Sequence, residues 1–322
     1  MLSPSNNLPC QHYIRPDDLN EPGFCRQPIV FRCIEAMKRK LPAISYSSAT
    51  DFIHCKLRYK HRIVDGLKVR PQHLPDPIKL GQIWDGFIRQ QHESGYIDKE
   101  GIEQLQLTEF QAAKINALIR AYHDLEIKSS TDGLLGCQFK INVPVGQHQI
   151  VGYVDRAYES HIVETKLSAR PDFYTQKENI TFQLGTYFIS DERWKYADVQ
   201  ATRVPSLQAG RGRYENESLE DYEERVYGDI LSRPAFYFLG WDRKTRTFGT
   251  RFWRGEFELD EIFKTYVHVI QEIQHTLRQD SWYANNLACH VPTPCPFLPI
   301  KRTGIVSDEI YETNGGNESE RM

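Results

Sequence analysis

The spacing of apolar residues predicts helices in the first part of the chain. These predicted helices span residues 46–64, 80–93 and 108–125. The third is the most regular, because apolar residues recur at helical spacing over 115–122. Thr108 followed by Gln111 is a capping-box pattern and predicts where this helix begins. The first helix has a less regular apolar stripe, with Ser47 or Ser48 as its predicted N-cap.

Short runs of β-branched and alternating apolar residues follow and predict a sheet. Three successive strands are predicted at 137–145, 149–157 and 161–167. The turn-like pair Glu159-Ser160 joins the last two as a hairpin. The pattern then predicts a helix at 172–190, a strand at 197–204, a loop at 205–218, a helix at 219–231, strands at 235–241 and 247–254 and a helix at 259–278. This order predicts an α/β fold with a mixed central β-sheet flanked by helices.

The length and composition indicate one main globular domain. The chain has 322 residues, of which 40% are hydrophobic and 26% charged, which is enough apolar material for a core. We predict a domain over residues 45–300, after a partly ordered lead-in (1–44) and before a disordered polar tail (301–322). No run of 18 apolar residues predicts a membrane span, and the polar first residues predict no secretory signal. We therefore expect a cytoplasmic protein with no membrane partner.

Acidic and basic residues nearly balance over the whole chain. A net charge of −3, from 40 basic and 43 acidic residues, excludes a strongly basic protein that wraps nucleic acid. An enzyme that concentrates positive charge locally is not excluded. Candidates for such a patch are Arg243, Lys244, Arg251 and Arg254, which are interleaved with aromatic residues as in channels for single-stranded nucleic acid. An exposed strand face is the alternative, and it is favoured for any one basic patch taken alone.

Two neighbouring predicted strands carry polar residues that suit catalysis. Asp155 lies on one strand, and Glu164 and Lys166 lie on the next. Residues two apart on a strand point to the same face, so Glu164 and Lys166 point together. If the predicted hairpin pairs these strands, Asp155 can lie beside Glu164. Two such carboxylates can hold Mg²⁺, while a lysine nearby orients the attacking water or stabilises developing charge.

A salt bridge on a solvated sheet face is the alternative interpretation of Glu164 and Lys166. For the triplet alone, this alternative is favoured. The following helix changes the balance, because Gln183 and Tyr187 stand four residues apart and share one helical face. From that face they can hydrogen-bond a phosphate backbone or brace Lys166.

Three short motifs together resemble those of a known group of enzymes. The motifs Gly152-x-x-Asp155, Glu164-x-Lys166 and Gln183-x-x-x-Tyr187 resemble the PD-(D/E)XK nuclease superfamily. The resemblance is greatest to its RecB-like branch, which includes CRISPR-associated adaptation nucleases, the AddB nuclease domain and phage exonucleases, and it covers residues 45–300.

This resemblance implies a restriction-endonuclease-like core and a DNA nuclease that depends on Mg²⁺ or Mn²⁺. Asp155 and Glu164 would hold the metal, and Lys166 would position the water. Gln183 and Tyr187 would hold the DNA backbone or the lysine. The branch favours an exonuclease acting on DNA ends or single strands, in recombination, repair or phage replication. The expected partners are DNA and a recombination or replication protein in a bacterial or phage-infected cell.

One position departs from the pattern of the branch. Its members usually have a histidine in a Gly-x-x-x-His motif on an earlier helix, whereas here Gly81 leads to Asp85. Asp85 is therefore either a further metal ligand or a surface residue.

The cysteines match a second feature of the branch incompletely. Many members carry a [4Fe–4S] cluster, for which thiolates are the usual ligands. Cys55 falls in the place of the first ligand, and Cys289 and Cys295 have the spacing of the last two. The remaining place falls on Asn286 or, in an alternative alignment, on Lys301, and neither is a thiolate. We therefore expect a degenerate cluster, a lost one, or one completed by a residue such as His290. The alternative is ordinary packed thiols, and the odd total of seven cysteines favours reduced thiols or metal ligands over disulfides.

Two other functions fit parts of this pattern. A binding module would use the same fold to hold DNA or a protein without cutting, and metal-dependent cleavage separates it from a nuclease. A carbohydrate or other small-molecule enzyme would use Asp155 and Glu164 as an acid–base pair. Activity without added metal would favour that enzyme.

Overall fold

Local sequence signals set where the helices and strands begin and end. The computed structural model describes residues 43–93, 105–128, 130–210, 212–289 and 294–313. The strands are β1 (Leu67–Val69), β2 (Leu134–Val145), β3 (His148–Tyr158), β4 (His161–Ser168), β5 (Tyr196–Arg203), β6 (Thr250–Trp253) and β7 (Tyr311–Thr313). The α-helices are α1 (Tyr46–His54), α2 (Lys56–Tyr59), α3 (Asp76–Gln90), α4 (Glu109–Asp124), α5 (Lys177–Ser190), α6 (Leu219–Ser232), α7 (Pro234–Tyr237), α8 (Leu259–Gln279) and α9 (Leu298–Thr303).

Capping residues explain the starts of two helices. The predicted capping box of α4 is confirmed: the Thr108 hydroxyl accepts a hydrogen bond from the Gln111 N–H at 3.3 Å, and Oε1 of Gln111 accepts one from the Thr108 N–H at 2.8 Å. Helix α1 begins two or three residues earlier than predicted, with Ser45 as its N-cap. The prediction of one helix over 46–64 is wrong at Cys55, where extended backbone separates α1 from α2. A π-helical turn, Lys60–Val64, follows α2.

A five-stranded mixed sheet in the order β2-β3-β4-β5-β6 forms the centre of the fold. Strands β2, β3 and β4 are antiparallel neighbours, and the predicted hairpin is confirmed by the pairing of Arg156 with Val163. The chain then crosses over through α5, so that β5 runs parallel to β4. Strand β6 closes the edge as an antiparallel neighbour of β5. The predicted α/β class, with a mixed sheet flanked by helices, is confirmed.

Two large apolar clusters hold the helices in place. One packs α1, α5 and α8 with the strands of the sheet. The other joins α3, α4 and α6 with aromatic residues that include Tyr237, Phe238 and Phe248. Helices α3 and α5 thereby lie against the sheet near β4, the strand that carries Glu164 and Lys166. None of the helices in the described ranges combines the length and the apolar character that crossing a bilayer requires.

Two other segments also differ from their predictions. The predicted strand at 235–241 is wrong, because Pro234 starts the short helix α7 and Gly240, at φ +76°, turns the chain directly after it. The predicted disordered tail contains the end of α9 and the strand β7, which pairs antiparallel with β1 over 240 residues away in sequence. Residues 314–322 and 1–42 lie outside the described residues, whereas Ile44 is buried and bridges to Ile150 of β3.

Candidate active site

Strands β3 and β4 bring Asp155 to the strand of Glu164 and Lys166. One carboxylate oxygen of Asp155, Oδ2, accepts a hydrogen bond from the backbone N–H of Thr165 at 2.7 Å. This bond is charge-assisted and ties the Asp155 side chain to the strand that carries the other two residues. The sequence-based expectation that Asp155 lies next to the Glu164-x-Lys166 triplet therefore agrees with the geometry.

Glu164 is the most deeply buried carboxylate of the group. It is 1% exposed, and its Oε1 is shared by the Lys166 ammonium, which forms an ion pair with it, and by the amide of Gln183, which donates at 2.6 Å. Its second oxygen, Oε2, is buried without a hydrogen-bond partner. A buried carboxylate oxygen without a partner is costly, unless a ligand satisfies it.

Helix α5 supports Glu164 through Gln183 and Tyr187. The Gln183 amide also donates to the Tyr187 hydroxyl at 2.9 Å, and that hydroxyl donates to the Tyr153 carbonyl of β3 at 3.1 Å. These bonds link α5 to both strands of the site. The partners of Gln183 and Tyr187 are thus Glu164 and the β3 backbone rather than Lys166. Lys166 instead lies 6.0 Å from the centre of the Tyr174 ring.

Asp85, on helix α3, also reaches the site. The link is the side-chain amide of Gln138 on β2, which donates to Oδ2 of Asp85 at 3.4 Å and to Oδ1 of Asp155 at 3.3 Å. Of the two interpretations of Asp85, a site residue or a surface residue, the geometry favours the first.

Sequence reasoning missed Gln138. The turn at Gly146 sets the register of β2 against β3, with Val145 opposite His148 and Phe139 opposite Val154. Counting back along this register places Gln138 opposite Asp155. The spacing of the β2–β3 hairpin could therefore have predicted that Gln138 lies opposite Asp155, but only if the pairing of β2 with β3 had been known.

Burial and the charge of Asp155 shift the pKa values of the ionisable groups around it. Burial, followed by the charge of Asp155, raises the pKa of Asp85 to about 6. The same two causes raise the pKa of Glu164 to about 7, against the opposing effect of Lys166. Burial alone would lower the pKa of Lys166, but the charges of Glu164 and Asp155 outweigh it and raise that pKa. The site therefore concentrates negative charge that a cation would stabilise.

The donor set fits a hard divalent cation such as Mg²⁺ or Mn²⁺. Such ions take carboxylate, carbonyl and water oxygens, and Mg²⁺ sites often use only one or two carboxylates. Asp155 and Glu164 supply the carboxylates, and the unpartnered Oε2 of Glu164 is available to a ligand. Within the described ranges, no group of three or more His, Cys, Asp and Glu side chains is close enough to hold a metal ion by itself. Further ligands would therefore come from water, backbone or other side-chain oxygens.

Two cysteines of the expected cluster, Cys55 and Cys289, contact Asn285, and the third, Cys295, contacts Cys289. The Asn285 backbone N–H donates to Sγ of Cys55 at 3.4 Å, and Sγ of Cys289 donates to the Asn285 carbonyl at 3.3 Å. The Cys295 N–H donates to the Cys289 carbonyl at 2.8 Å. Burial raises the pKa of the Cys295 thiol, and the two other cysteines add to the effect.

The place of the fourth cluster ligand holds a polar pair instead of a thiol. Lys301 donates a hydrogen bond to Oδ1 of Asn286 and lies 3.2 Å from Sγ of Cys289. An ammonium in contact with a candidate ligand thiol and an amide in the fourth position do not fit an intact [4Fe–4S] cluster held by four thiolates. His290, the suggested substitute ligand, lies outside the described residues.

The four basic residues of the predicted nucleic-acid patch have different surroundings. Arg251 pairs with the Asp198 carboxylate at 2.8 Å and stacks on the Tyr196 ring, and Arg254 donates to the Asp191 carbonyl at 2.9 Å. Arg243 and Lys244 are exposed on the turn before β6. Contact of this patch with nucleic acid stays a prediction.

Comparisons with known proteins add no family to this picture. No model of a protein family matches the chain, and no curated protein matches its sequence.

Proposed function

We propose that this protein is a DNA nuclease that depends on Mg²⁺ or Mn²⁺ and hydrolyses phosphodiester bonds, acting on DNA ends. The observation that carries the proposal is the arrangement of Asp155 and Glu164 on paired strands, with Lys166 bound to Glu164. The resemblance of the three motifs to PD-(D/E)XK nucleases supports it. The mixed sheet flanked by helices is consistent with the restriction-endonuclease-like core that this resemblance implies.

Each residue of the site has a role that its contacts support. Asp155 and Glu164 hold the cation, and the Thr165 N–H and the Gln183 amide keep these two carboxylates in place. When bound, the cation supplies Lewis acidity that activates water and offsets charge on the phosphate. The Lys166 ammonium orients the attacking water and stabilises the charge that develops on the phosphate oxygens. Tyr187 is 4% exposed and acts as a support for Gln183.

The test is cleavage of end-labelled DNA, linear and circular, single- and double-stranded, with Mg²⁺, Mn²⁺ or EDTA. We expect loss of linear DNA only when metal is present. Asp155→Asn and Lys166→Met should each lower the rate by roughly 100-fold or more. The matched controls are Asp260→Asn and Lys264→Met, which change the same residue types on exposed positions of α8 and should cleave like the wild type.

Three results would contradict the proposal. Cleavage that is undiminished in EDTA would exclude a metal-dependent site. Equal activity of the site variants and their controls would place the chemistry elsewhere. Retained DNA binding with no cleavage under any metal would make the protein a binding module.

A further inference from the structure

Gln138 has an unusual backbone conformation for a residue within a strand. Its φ is +46°, in the left-handed region that residues other than glycine rarely adopt. It lies inside β2, and its neighbours pair normally, Cys137 with Arg156 and Phe139 with Val154. Such a conformation carries a steric cost, and strained residues of this kind cluster at active sites and ligand-binding sites. This makes Gln138 a residue whose position needs an explanation.

The left-handed backbone places the Gln138 side chain between two carboxylates. Its amide nitrogen is 3.4 Å from Oδ2 of Asp85 and 3.3 Å from Oδ1 of Asp155. Two negative groups this close to a common point repel each other, and the amide hydrogens partly offset that repulsion. The amide therefore occupies a point at which a positive charge is favourable.

A second observation indicates that a ligand belongs at this site. Glu164 is 1% exposed, yet its Oε2 has no hydrogen-bond partner. Carboxylate side chains alone do not complete a metal site within the described ranges. A neutral oxygen is therefore needed beside the carboxylates, and the amide of Gln138 contains one. Amide carbonyl oxygens are hard donors of the kind that Mg²⁺ and Mn²⁺ accept.

We propose that Gln138 is a ligand of the divalent cation. Without the cation, its N–H group bridges Asp85 and Asp155. With the cation, its Oε1 joins the carboxylates of Asp155 and Glu164 in the ligand set. This inference rests on the proposed function only in placing the cation at Asp155. The Gln138 amide needs no change of its own protonation for this, because it has both a donor and an acceptor end.

The experiment measures Mn²⁺ binding to the full chain by electron paramagnetic resonance of the free ion, without DNA. We expect Gln138→Met, which keeps the length of the side chain but has no amide, to weaken binding by about 10-fold or more. Gln138→Glu should bind Mn²⁺ more tightly than the wild type, because it adds a charged oxygen. Gln149→Met, on an exposed position of β3, is the matched control and should bind like the wild type.

Gln138→Gly separates ligand loss from misfolding. Glycine adopts a positive φ without steric cost, so this variant should be at least as stable to heat as the wild type. It should nevertheless bind Mn²⁺ as weakly as Gln138→Met. Wild-type affinity in Gln138→Met would overturn the inference. Tighter binding in Gln138→Met would also overturn it and would show that the amide only blocks the site.

The outcomes distinguish this inference from the proposed nuclease function. If Mn²⁺ binding depends on Gln138 but no DNA is cut, Gln138 is supported as a metal ligand and the nuclease function is refuted. If DNA is cut with metal but Gln138→Met binds Mn²⁺ normally, the nuclease function is supported and the role of Gln138 as a ligand is refuted. If the wild type binds no Mn²⁺, the ligand inference is wrong, and the cleavage assay with Mg²⁺ or Mn²⁺ decides the nuclease function separately.

Discussion

Gly185 lets helix α5 pack closely against helix α8, and replacing it with alanine tests this contact. A Cβ atom at residue 185 would lie 2.2 Å from Cδ1 of Ile262, far inside contact distance. The next atoms of Ile262, Cγ1 and Cγ2, would lie at 3.4 and 3.6 Å, which is ordinary contact. A single methyl group therefore opposes the substitution. The helix involved is the one that carries Gln183 and Tyr187 into the candidate site.

The expected free-energy change has two opposing parts. Alanine is favoured over glycine inside a helix by about 1 kcal/mol. Overpacking a closed core costs about 1–3 kcal/mol, and Ile262 is buried, so its methyl has little room to move. Gly185→Ala alone should therefore lower the free energy of unfolding by up to about 2 kcal/mol. Ile262→Val removes Cδ1 and itself costs about 0.5–1.5 kcal/mol.

The sign of the alanine substitution should reverse in the valine background. There the obstructing methyl is absent, so Gly185→Ala should stabilise the protein by up to about 1 kcal/mol. Urea unfolding of the four proteins in the cycle measures a coupling energy expected at about 1–3 kcal/mol. Gly228→Ala, in α6, is the control, because a Cβ there meets nothing within 4 Å. An equal effect of Gly185→Ala in both backgrounds would refute the reasoning.

Two further substitutions test other parts of the fold. Gly240→Ala should lower the free energy of unfolding by at least about 2 kcal/mol, because Gly240 has φ +76° and a Cβ there would lie 2.4 Å from the Gly249 carbonyl oxygen. The control is Gly146→Ala in the same urea assay. Gly146 has φ +60° but open space around it, so this substitution should cost only about 1 kcal/mol. Burial and then the charge of Arg156 lower the pKa of His92 from 6.5 to about 4 in the folded protein. As the pH drops from about 6.5 to 4, the His92 imidazole is therefore protonated in the unfolded chain before it is in the folded one, and the stability of the protein falls. His92→Gln should lose less stability than the wild type between pH 7.5 and 5, and equal losses would contradict the assignment.

The sequence was most informative where one element sufficed. The period of two along β4 predicted that Glu164 and Lys166 point to the same face, and the two side chains form an ion pair. The spacing of four residues along α5 predicted that Gln183 and Tyr187 share a helical face, and their side chains form a hydrogen bond. These relations depend only on the local geometry of a strand or a helix, so they can be derived without knowledge of the rest of the fold.

Predictions that relied on local composition alone were less successful. The aromatic run at 235–241 predicts a strand, but a short helix begins there at Pro234 and the chain turns at Gly240. The polar segment after 301 contains β7, which is stabilised by pairing with β1 and by the burial of Tyr311. A partner distant in sequence overrides local composition in such cases.

The sequence by itself determined the α/β class, the hairpin of β3 and β4 and the grouping of Asp155 with Glu164 and Lys166. Only the tertiary structure decided that Asp85 and Gln138 join this group. It also decided that Cys55 lies beside Asn285, 230 residues away in sequence. The physical reason is that such contacts depend on how whole helices and strands pack. Periodicity along one element carries no information about that packing.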